Sequence, residues 1–383
     1  MKIILIGGTG VLSTSIAELS IARGHQVYVL YRGNRMEYVH PKAIMLKADI
    51  KDKPKVKKIL GELQFDITID FLSFNVNDLK NSLSIFSNIS KQFMFISSCS
   101  VYLEPDENGL FTEKSTLIDP IWDYSVNKVK CEKYIKDYCP KIGLKYTIIR
   151  PAITYGDTRL PFSLTPAYGW HWTIIGRILN NKPLLIWDNG KNITTLTHVT
   201  DFAKGVVGLI GNPKGYNDEF HITSDFNYTW HDVADTIGEI IGKTPIYANI
   251  QKEFIINKMP SLRGLILGSR AKNTKFDNSK IKETVPKFSC TIPMKVGIKK
   301  TINYYIENNY LHGIDYFWDG QMDWLLERYY EEGSSVTFNN NNLHFIKYLP
   351  HTNIVDRVAY FLGKSNNDFL FRIFNKFTNY YSK

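Results

Sequence analysis

The chain has 383 residues, of which 44% are hydrophobic, and a formal net charge of +10. This length allows two domains, or one large domain with an appendage, and a substantial apolar core. Its four cysteines form no CxxC pair and have no metal-ligand spacing, which argues against a metal centre and a disulfide scaffold. No apolar run approaches the roughly 18 residues that span a membrane. We therefore expect a cytoplasmic protein without a metal site or a membrane span.

The N-terminal 31 residues have the pattern of a strand, a glycine turn, a helix and a second strand. The apolar run 2–6 passes directly into Gly7-Gly8-Thr9-Gly10-Val11-Leu12-Ser13, and a helical stretch to Arg23 precedes the apolar run 26–31. In dinucleotide-binding folds such glycines make a tight turn and let the backbone approach pyrophosphate, whose charge meets the helix N-terminus. We predict cofactor contacts in this turn at Gly7, Thr9, Gly10, Val11 and Leu12.

Two short segments further along the chain predict a hydride-transfer site. In Tyr124-Ser-Val-Asn-Lys128 the tyrosine and lysine are four residues apart, so a helix would project both from one face. A lysine ammonium roughly 4 Å from the phenol would lower its pKa by about three units, to near 7. Ser98 ends an apolar run and is placed to hold the reacting hydroxyl while Tyr124 takes its proton. By itself, however, this tyrosine and lysine spacing also occurs on ordinary helices.

With the glycine turn and these two segments, the chain resembles the extended or atypical short-chain dehydrogenase/reductases of the NAD-dependent epimerase/dehydratase family, over residues 1 to roughly 330. The resemblance implies an α/β fold: a Rossmann doubly wound parallel sheet, a smaller C-terminal α/β substrate domain and a helical C-terminal extension. The corresponding ranges are 1–155 for NAD(P) binding, 156–330 for substrate binding, interleaved with the Rossmann core, and 331–383 for the extension. It also implies cofactor contacts at Asp49, Ile50, Leu72, Ser73, Tyr124, Lys128 and Pro151.

The residue after the second strand bears on the choice of cofactor. Many NAD-binding members of the family carry an acid there, whereas this chain has Arg32. A guanidinium suits a 2′-phosphate, so we favour NADP over NAD and predict that Arg32 contacts the cofactor. A surface arginine with no cofactor contact is the alternative.

For the substrate, the resemblance implies contacts at Ser100, Tyr155, Thr194, His198 and Arg270. The chain lacks the Asp-Glu pair with which family dehydratases eliminate water, so dehydration is disfavoured. Thr194 stands where nucleotide-sugar enzymes of the family carry an arginine for the diphosphate, and Arg270 does not have the usual offset of a second one. Three other cations are candidates to replace the missing charge: Lys191, Arg159 and Arg177.

We favour an NAD(P)-dependent epimerase or oxidoreductase that acts on a secondary hydroxyl of a sugar or nucleotide sugar, as a homo-oligomer, expected to be a dimer. A reductase of a non-sugar metabolite is the alternative. A nucleic-acid-binding protein on a retired enzyme fold is disfavoured, because the basic residues are dispersed and the set of Ser98, Tyr124 and Lys128 is complete.

Beyond about residue 343, two apolar stripes with three-to-four spacing predict amphipathic helices. Their members are Ile354, Val355, Val358, Phe361 and Leu362, followed by Leu370, Ile373, Phe374, Phe377, Tyr380 and Tyr381. Lys364, Arg372 and Lys376 accompany them, so a helix pair on a membrane surface is one interpretation. We favour the other, in which the stripes pack on the protein's own body or a partner subunit and the protein stays off anionic liposomes.

Overall fold

The computed structural model describes residues 1–33, 38–117, 121–332 and 353–382. Residues 333–352 of the expected helical extension lie outside the described residues. The strands are β1 (Lys2–Ile6), β2 (Gln26–Tyr31), β3 (Ile44–Lys47), β4 (Phe65–Asp70), β5 (Ser90–Ile96), β6 (Lys145–Pro151), β7 (Ile153–Tyr155), β8 (Leu184–Ile186), β9 (Ile193–His198), β10 (Asp218–Ile222), β11 (Asn227–Thr229) and β12 (Tyr247–Asn249).

The helices of the N-terminal half are α1 (Val11–Ala22), α2 (Lys53–Leu60), α3 (Val76–Phe86), α4 (Asp123–Tyr138), α5 (Trp172–Leu179) and α6 (Val199–Leu209). Those of the C-terminal half are α7 (Trp230–Ile241), α8 (Lys252–Lys258), α9 (Arg263–Leu265), α10 (Ser279–Thr284), α11 (Met294–Glu307), α12 (Tyr316–Glu331), α13 (Ile354–Lys364) and α14 (Asp368–Thr378). A π-helical turn, Ile266–Arg270, directly follows α9. No helix in the described ranges has the length and apolar character needed to cross a membrane.

The main sheet has the strand order β3-β2-β1-β4-β5-β6-β10, and all of its neighbouring strands run parallel. Its strands are continuous apolar runs because both faces of the sheet are covered. On one face α1 and α6 pack through Ile16 and Val206, and on the other α3 and α4 pack through Leu83 and Ile135. This architecture confirms the predicted doubly wound Rossmann fold.

A smaller sheet, in the order β11-β9-β7, and the parallel pair β12-β8 form a second layer. Their core is apolar and includes Ile175 of α5, Trp230 of α7 and Ile298 of α11. The chain returns to the main sheet through β10, which pairs with β6. Segments of the second layer and of the main sheet therefore alternate along the sequence. The expected division at residue 155 remains a proposal.

The described part of the C-terminal extension is helical and packs on the protein's own body. Gly320 of α12 and Gly363 of α13 lie at a close helix crossing, where a Cβ on either glycine would overlap the backbone of the other helix. Tyr360 donates a hydrogen bond to Asp323 (2.7 Å), which also pairs with the buried Arg177 (3.0 Å). These contacts anchor α13 to α12 and, through Arg177, to α5.

The final turn of the chain packs on the segment that leads into α5. The ring of Tyr380 stacks on Trp170 with 5.3 Å between centroids, and Tyr381 donates to the buried carboxylate of Asp315 (2.9 Å). Burial raises the pKa of Asp315 to about 7. Both α13 and the turn after α14 are therefore attached to the rest of the protein.

Candidate active site

A cleft of about 530 Å³ opens at the carboxyl ends of the parallel strands, where α/β folds of this type bind their ligands. Gly7, Gly10, Val11 and Leu12 of the glycine turn line one part of it. Ser98, Ser100, Tyr124, Lys128 and Pro151 line the middle, and Arg159, Arg270 and Lys272 line another part. The structure thus brings the predicted catalytic residues and the glycine turn together on one cleft.

Ser98, the predicted catalytic serine, lies on a tight turn after β5. The Ser98 hydroxyl accepts hydrogen bonds from the backbone N–H of Ser100 (3.1 Å) and from its hydroxyl (2.9 Å). Ser98 also shares a side-chain hydrogen bond with Tyr124. Because Ser100 supplies two donors, the Ser98 proton is left to point at an acceptor oxygen such as the phenol of Tyr124.

Tyr124 and Lys128 project from the first two turns of α4, as the sequence predicts. The ammonium of Lys128 is buried, and it donates to the carbonyl oxygens of Ser73 and Ile96, each at 2.8 Å. It also lies over the ring of Phe95, 4.7 Å from its centroid. Burial lowers the pKa of Lys128 to about 8, although Asp70 opposes this effect.

The predicted lowering of the Tyr124 pKa by Lys128 stays a prediction; the Lys128 ammonium lies 5.8 Å from the centroid of the Tyr124 ring. Burial raises the pKa of Tyr124, and the two influences that lower it are the Ser98 hydrogen bond and the charge of Arg159. The same ammonium is held by the carbonyl of Ser73, in the loop after β4, and by the carbonyl of Ile96 at the end of β5. Arg159, which the sequence indicated only as a possible replacement charge, also acts on the phenol and lowers its pKa.

The glycine turn has the shape that a dinucleotide needs. Gly7 has φ of +90°, and a Cβ there would overlap Leu72. A Cβ on Gly10 would meet only the Ser13 hydroxyl, at 3.6 Å, so the glycine keeps open space at the cleft. Ser13, which replaces the usual third glycine, is buried and accepts from the Gly10 N–H (2.9 Å). These residues fit a pyrophosphate at the N-terminus of α1, where no acidic side chain opposes it.

Leu72 and Pro151 also line the cleft, while the remaining predicted cofactor residues do not. Ser73 is buried and donates to Asp70 (2.6 Å), and Asp49 accepts from the N–H of Lys51 (2.9 Å). Thr9, Arg32 and Ile50 likewise lie at or near the carboxyl ends of β1, β2 and β3, and Arg32 is exposed. Their contacts with a cofactor remain predictions.

The substrate end of the cleft carries two arginines whose charges are not neutralised by the described residues. Arg270 ends the π-helical turn, is 8% exposed, and its Nε has no hydrogen-bond partner in the described part of the chain. Burial and the charge of Arg159 lower the pKa of Arg270 to about 9. Burial and the same two arginines lower the pKa of His171 to about 3, so this histidine is neutral. The arrangement favours an anionic ligand, since the buried Arg270 and the half-buried Arg159 repel each other without one.

Three predicted substrate residues are not brought to the cleft. Tyr155, Thr194 and His198 are buried in the second sheet, where the rings of Tyr155 and His198 meet edge to face at 5.2 Å. Among the candidate replacement charges, Arg159 lines the cleft, Arg177 is buried in ion pairs with Asp319 and Asp323, and Lys191 is exposed. Of the predicted substrate contacts, the structure therefore places Ser100 and Arg270 on the cleft.

A buried polar network under the serine turn was not predicted from the sequence. Ser97 donates to Glu132 (2.5 Å), and Glu132 also pairs with Arg150 through two hydrogen bonds of 3.0 and 2.6 Å. Arg150 donates in turn to Tyr102 (3.1 Å), whose hydroxyl meets His221 (3.1 Å). Burial lowers the pKa of Arg150, but the contacts with Glu132 outweigh it and raise the pKa above its ordinary value. This network fixes the backbone beside Ser98.

In the described ranges, no group of three or more His, Cys, Asp or Glu side chains is placed to hold a metal ion. Cys99 is buried, its thiol meets the carbonyl of Arg150 (3.2 Å), and burial raises its pKa well above the ordinary value. A thiol in this state is a poor nucleophile.

The chain is similar to several known proteins. It aligns at 24% identity over 333 residues with a putative UDP-glucose 4-epimerase of Methanocaldococcus jannaschii, covering 80% of this chain and 99% of that protein. It aligns at 25% identity over 246 residues with the chloroplast stem-loop binding protein of 41 kDa b of Arabidopsis thaliana, covering 61% of each. The structure of UDP-glucuronic acid 4-epimerase from Bacillus cereus, in complex with UDP-glucuronic acid and NAD, superimposes with a TM-score of 0.65 at 18% identity and covers 80% of this chain and 99% of its own.

The similarity to that structure concerns the fold, and the family assignment rests on a match that covers more than half of the chain. Residues 3–222 match the model of the NAD dependent epimerase/dehydratase family. The matched region holds the glycine turn, Ser98, Tyr124 and Lys128. The chain belongs to the NAD dependent epimerase/dehydratase family of enzymes.

Proposed function

We propose that this protein oxidises a secondary hydroxyl of a sugar nucleotide with NAD or NADP, and that it acts as an epimerase or an oxidoreductase. One observation carries the proposal. The glycine turn, the Ser98, Tyr124 and Lys128 set, and the two arginines without carboxylate partners in the described residues all line one cleft. A cofactor at the glycine turn and a diphosphate at the arginines would leave the sugar between them, beside Tyr124.

In this mechanism Ser98 donates a hydrogen bond to the reacting hydroxyl oxygen, and Tyr124 as phenolate takes the hydroxyl proton. Arg159 stabilises the phenolate, because its charge already opposes the effect of burial on the pKa of Tyr124. The oxidised nicotinamide supplies the hydride acceptor. The ketone, if kept in the cleft, gives epimerisation, whereas its release gives net oxidation.

The part of the cleft that would hold the cofactor is lined by Gly7, residues 10–13, Leu72, Lys128 and Pro151. NADP is preferred over NAD in this proposal, because Arg32 follows β2 with an exposed side chain that is available to a 2′-phosphate. The similarity to proteins named as UDP-sugar epimerases supports a sugar nucleotide.

The first experiment is to purify the protein, denature it and identify the cofactor and any sugar nucleotide that it releases, by mass spectrometry. A retained cofactor and a released sugar nucleotide would support the proposal, and a retained cofactor favours epimerisation. UDP-sugars and dTDP-sugars are then assayed for conversion with NAD and with NADP. Absence of turnover with every sugar nucleotide, together with turnover of an uncharged ketone, would favour the reductase alternative.

The role of the arginines is tested with Arg270→Gln and with Arg263→Gln as the control. Arg263 belongs to the preceding helical turn, α9, and its side chain is exposed and does not line the cleft. We expect Arg270→Gln to raise KM for the sugar nucleotide at least about tenfold, the effect of losing one charge-assisted contact, while Arg263→Gln leaves it unchanged. Equal KM values for both variants would contradict a diphosphate at Arg270.

The chloroplast relative is named as a stem-loop binding protein, so nucleic-acid binding is the second candidate. The complete catalytic set at the cleft favours the enzyme. A gel-shift titration with structured RNA at physiological salt distinguishes the two, and tight RNA binding combined with no turnover would favour the second candidate.

A further inference from the structure

The C-terminal helices α13 and α14 each have an apolar side that the rest of the described chain does not cover. We call these two exposed stripes together the outer face; on α13 it consists of Ile354, Val358 and Phe361, and on α14 of Phe369, Ile373 and Phe377. Each set repeats at three- or four-residue intervals and therefore lies along one side of its helix. The opposite sides of the same helices hold the buried Ala359, Tyr360 and Phe371. Packing on the body thus accounts for only half of each apolar stripe.

The side chains of the outer face protrude. Phe377 is 85% exposed, Ile354 is 77% exposed and Phe369 is 72% exposed, compared with 5% for Phe371 on the inner side of α14. Large apolar side chains exposed to this degree at neighbouring positions mark an interaction site. A surface of separate protruding tips suits insertion between lipid chains, because each tip can be surrounded on all sides by hydrocarbon.

The charges beside the outer face indicate which surface it meets. On α14 the exposed Arg372 and Lys376 form the row next to Phe369, Ile373 and Phe377. The two carboxylates of the hairpin are engaged elsewhere: Asp368 accepts from Gln321 of α12 (3.1 Å), and Asp356 accepts from Asn353 at the start of α13 (2.9 Å). The outer face is therefore apolar with a basic margin, which complements anionic lipid headgroups.

This charge pattern also decides against a second copy of the chain. A face-to-face contact between two copies would bring a second pair of the same cations, Arg372 and Lys376, against the first. Interfaces between proteins place opposite charges against each other. The similarity to the Bacillus cereus structure covers 99% of that chain but only 80% of this one. The shared fold therefore accounts for nearly all of that protein and leaves part of this chain without a counterpart.

We propose that the outer face of α13 and α14 is a docking site for an anionic membrane surface, on which the hairpin lies with Phe369, Ile373 and Phe377 inserted below the headgroups. The hairpin is amphipathic and binds from one side without spanning the bilayer. This departs from the expectation drawn from the sequence that the protein stays off anionic liposomes, because packing on the body leaves the outer half of each apolar stripe exposed. This proposal does not depend on the proposed enzymatic function, since it concerns a surface separate from the cleft.

The test is vesicle flotation of the purified full-length protein at physiological salt. Vesicles of phosphatidylcholine mixed with phosphatidylglycerol should carry the protein, vesicles of phosphatidylcholine alone should carry much less, and higher salt should weaken binding by screening. No flotation with the anionic vesicles would overturn the proposal.

Two double variants address the two components of the face. Phe369→Ser with Phe377→Ser removes exposed apolar tips, and Arg372→Glu with Lys376→Glu reverses the basic margin. Because all four side chains are exposed, both variants should fold, which circular dichroism checks. Each double variant removes two apolar side chains or reverses two charges that contribute to membrane binding. Each should therefore lower the vesicle partition coefficient at least about tenfold.

The control is Phe226→Ser, which removes an exposed aromatic side chain (42%) from the turn between β10 and β11. It should leave flotation unchanged. Equal flotation of all variants would show that the outer face is not the contact. A change of molar mass on light scattering for the Phe369 and Phe377 variant, without a change in flotation, would instead identify the face as an interface between copies and would overturn the proposal.

Discussion

Glu132→Gln should lower the free energy of unfolding by about 3–5 kcal/mol, the usual cost of breaking a buried ion pair from one side. Glu132 is 1% exposed and meets Arg150 through two charge-assisted hydrogen bonds, of 3.0 and 2.6 Å. Each such bond contributes about 1.5–3 kcal/mol, so the two together agree with that range. Glutamine keeps the shape but presents an amide group, so the buried guanidinium loses its hydrogen-bonded counter-charge and keeps only the more distant Glu219, at 3.8 Å.

The measurement is urea unfolding followed by tryptophan fluorescence, with the slope of the transition compared between variants. Glu239→Gln is the matched control, because Glu239 pairs with Lys295 at 2.5 Å while both side chains are about 60% exposed. An exposed pair of this kind is worth about 0–1 kcal/mol. If Glu132→Gln lowered the free energy of unfolding by less than about 1 kcal/mol, at an unchanged slope of the urea transition, the Glu132–Arg150 pair would not behave as a buried ion pair and the reasoning would be refuted.

Tyr124→Phe should lower turnover at least about a hundredfold, the usual contribution of one acid-base group, and keep cofactor binding in a fluorescence titration; near-normal turnover would exclude Tyr124 as the base. Arg32→Ser should weaken NADP binding by more than about 1 kcal/mol and spare NAD, and equal effects on both cofactors would show that Arg32 meets no 2′-phosphate. Burial raises the pKa of Asp315 from 3.8 to about 7, so between these values the folded state holds more protons than the unfolded state and stability falls as pH rises. Asp315→Asn should remove this decline, which is at most about 1.4 kcal/mol per pH unit when the free energy of unfolding is measured against pH. The same slope in the variant and the wild type would contradict a raised pKa of Asp315. Deleting residues 343–383 removes the partners of Trp170 and Phe317 and should lower solubility or change the oligomeric state, as measured by light scattering; a soluble protein of unchanged assembly state would contradict this.

Those parts of the fold that depend on local patterns could be predicted from the sequence. Buried parallel strands are continuous apolar runs, and the turn at Gly7 needs positive φ, so β1, α1 and β2 follow from neighbouring residues. The two C-terminal helices follow from their three-to-four spacing in the same way. Ser98 and Tyr124 were predictable as a pair because each belongs to a short motif at the end of a strand or the start of a helix.

The substrate end depends on long-range packing and could not be predicted residue by residue. Thr194 and His198 occupy the positions that the family resemblance implies, yet in the structure they are buried in the second sheet. The charges at the cleft come instead from Arg159, after β7, and from Arg270, at the end of a π-helical turn. A π-helical turn has no clear sequence pattern, so the direction of Arg270 is known only once the chain is folded.

The hydrogen-bond partners of Lys128 could not be predicted for a related reason. Spacing places it on the same side of α4 as Tyr124, but spacing does not show that the carbonyls of Ser73 and Ile96 end within reach of its ammonium. The Ile96 carbonyl ends β5 and the Ser73 carbonyl lies in the loop after β4, so their positions follow from the pairing of β4 with β5. Side-chain direction in a buried site is therefore a property of the sheet and not of the motif.

The close crossing at Gly320 and Gly363 determines how the hairpin can move. Because the two backbones touch there, α13 cannot rotate about its axis or slide by one residue without driving a Cβ into α12. The hairpin is thus fixed in one register on α12, which Arg177 joins to α5. Whatever surface meets the hairpin from outside will consequently hold the mouth of the cleft at one constant angle and one constant height above that surface.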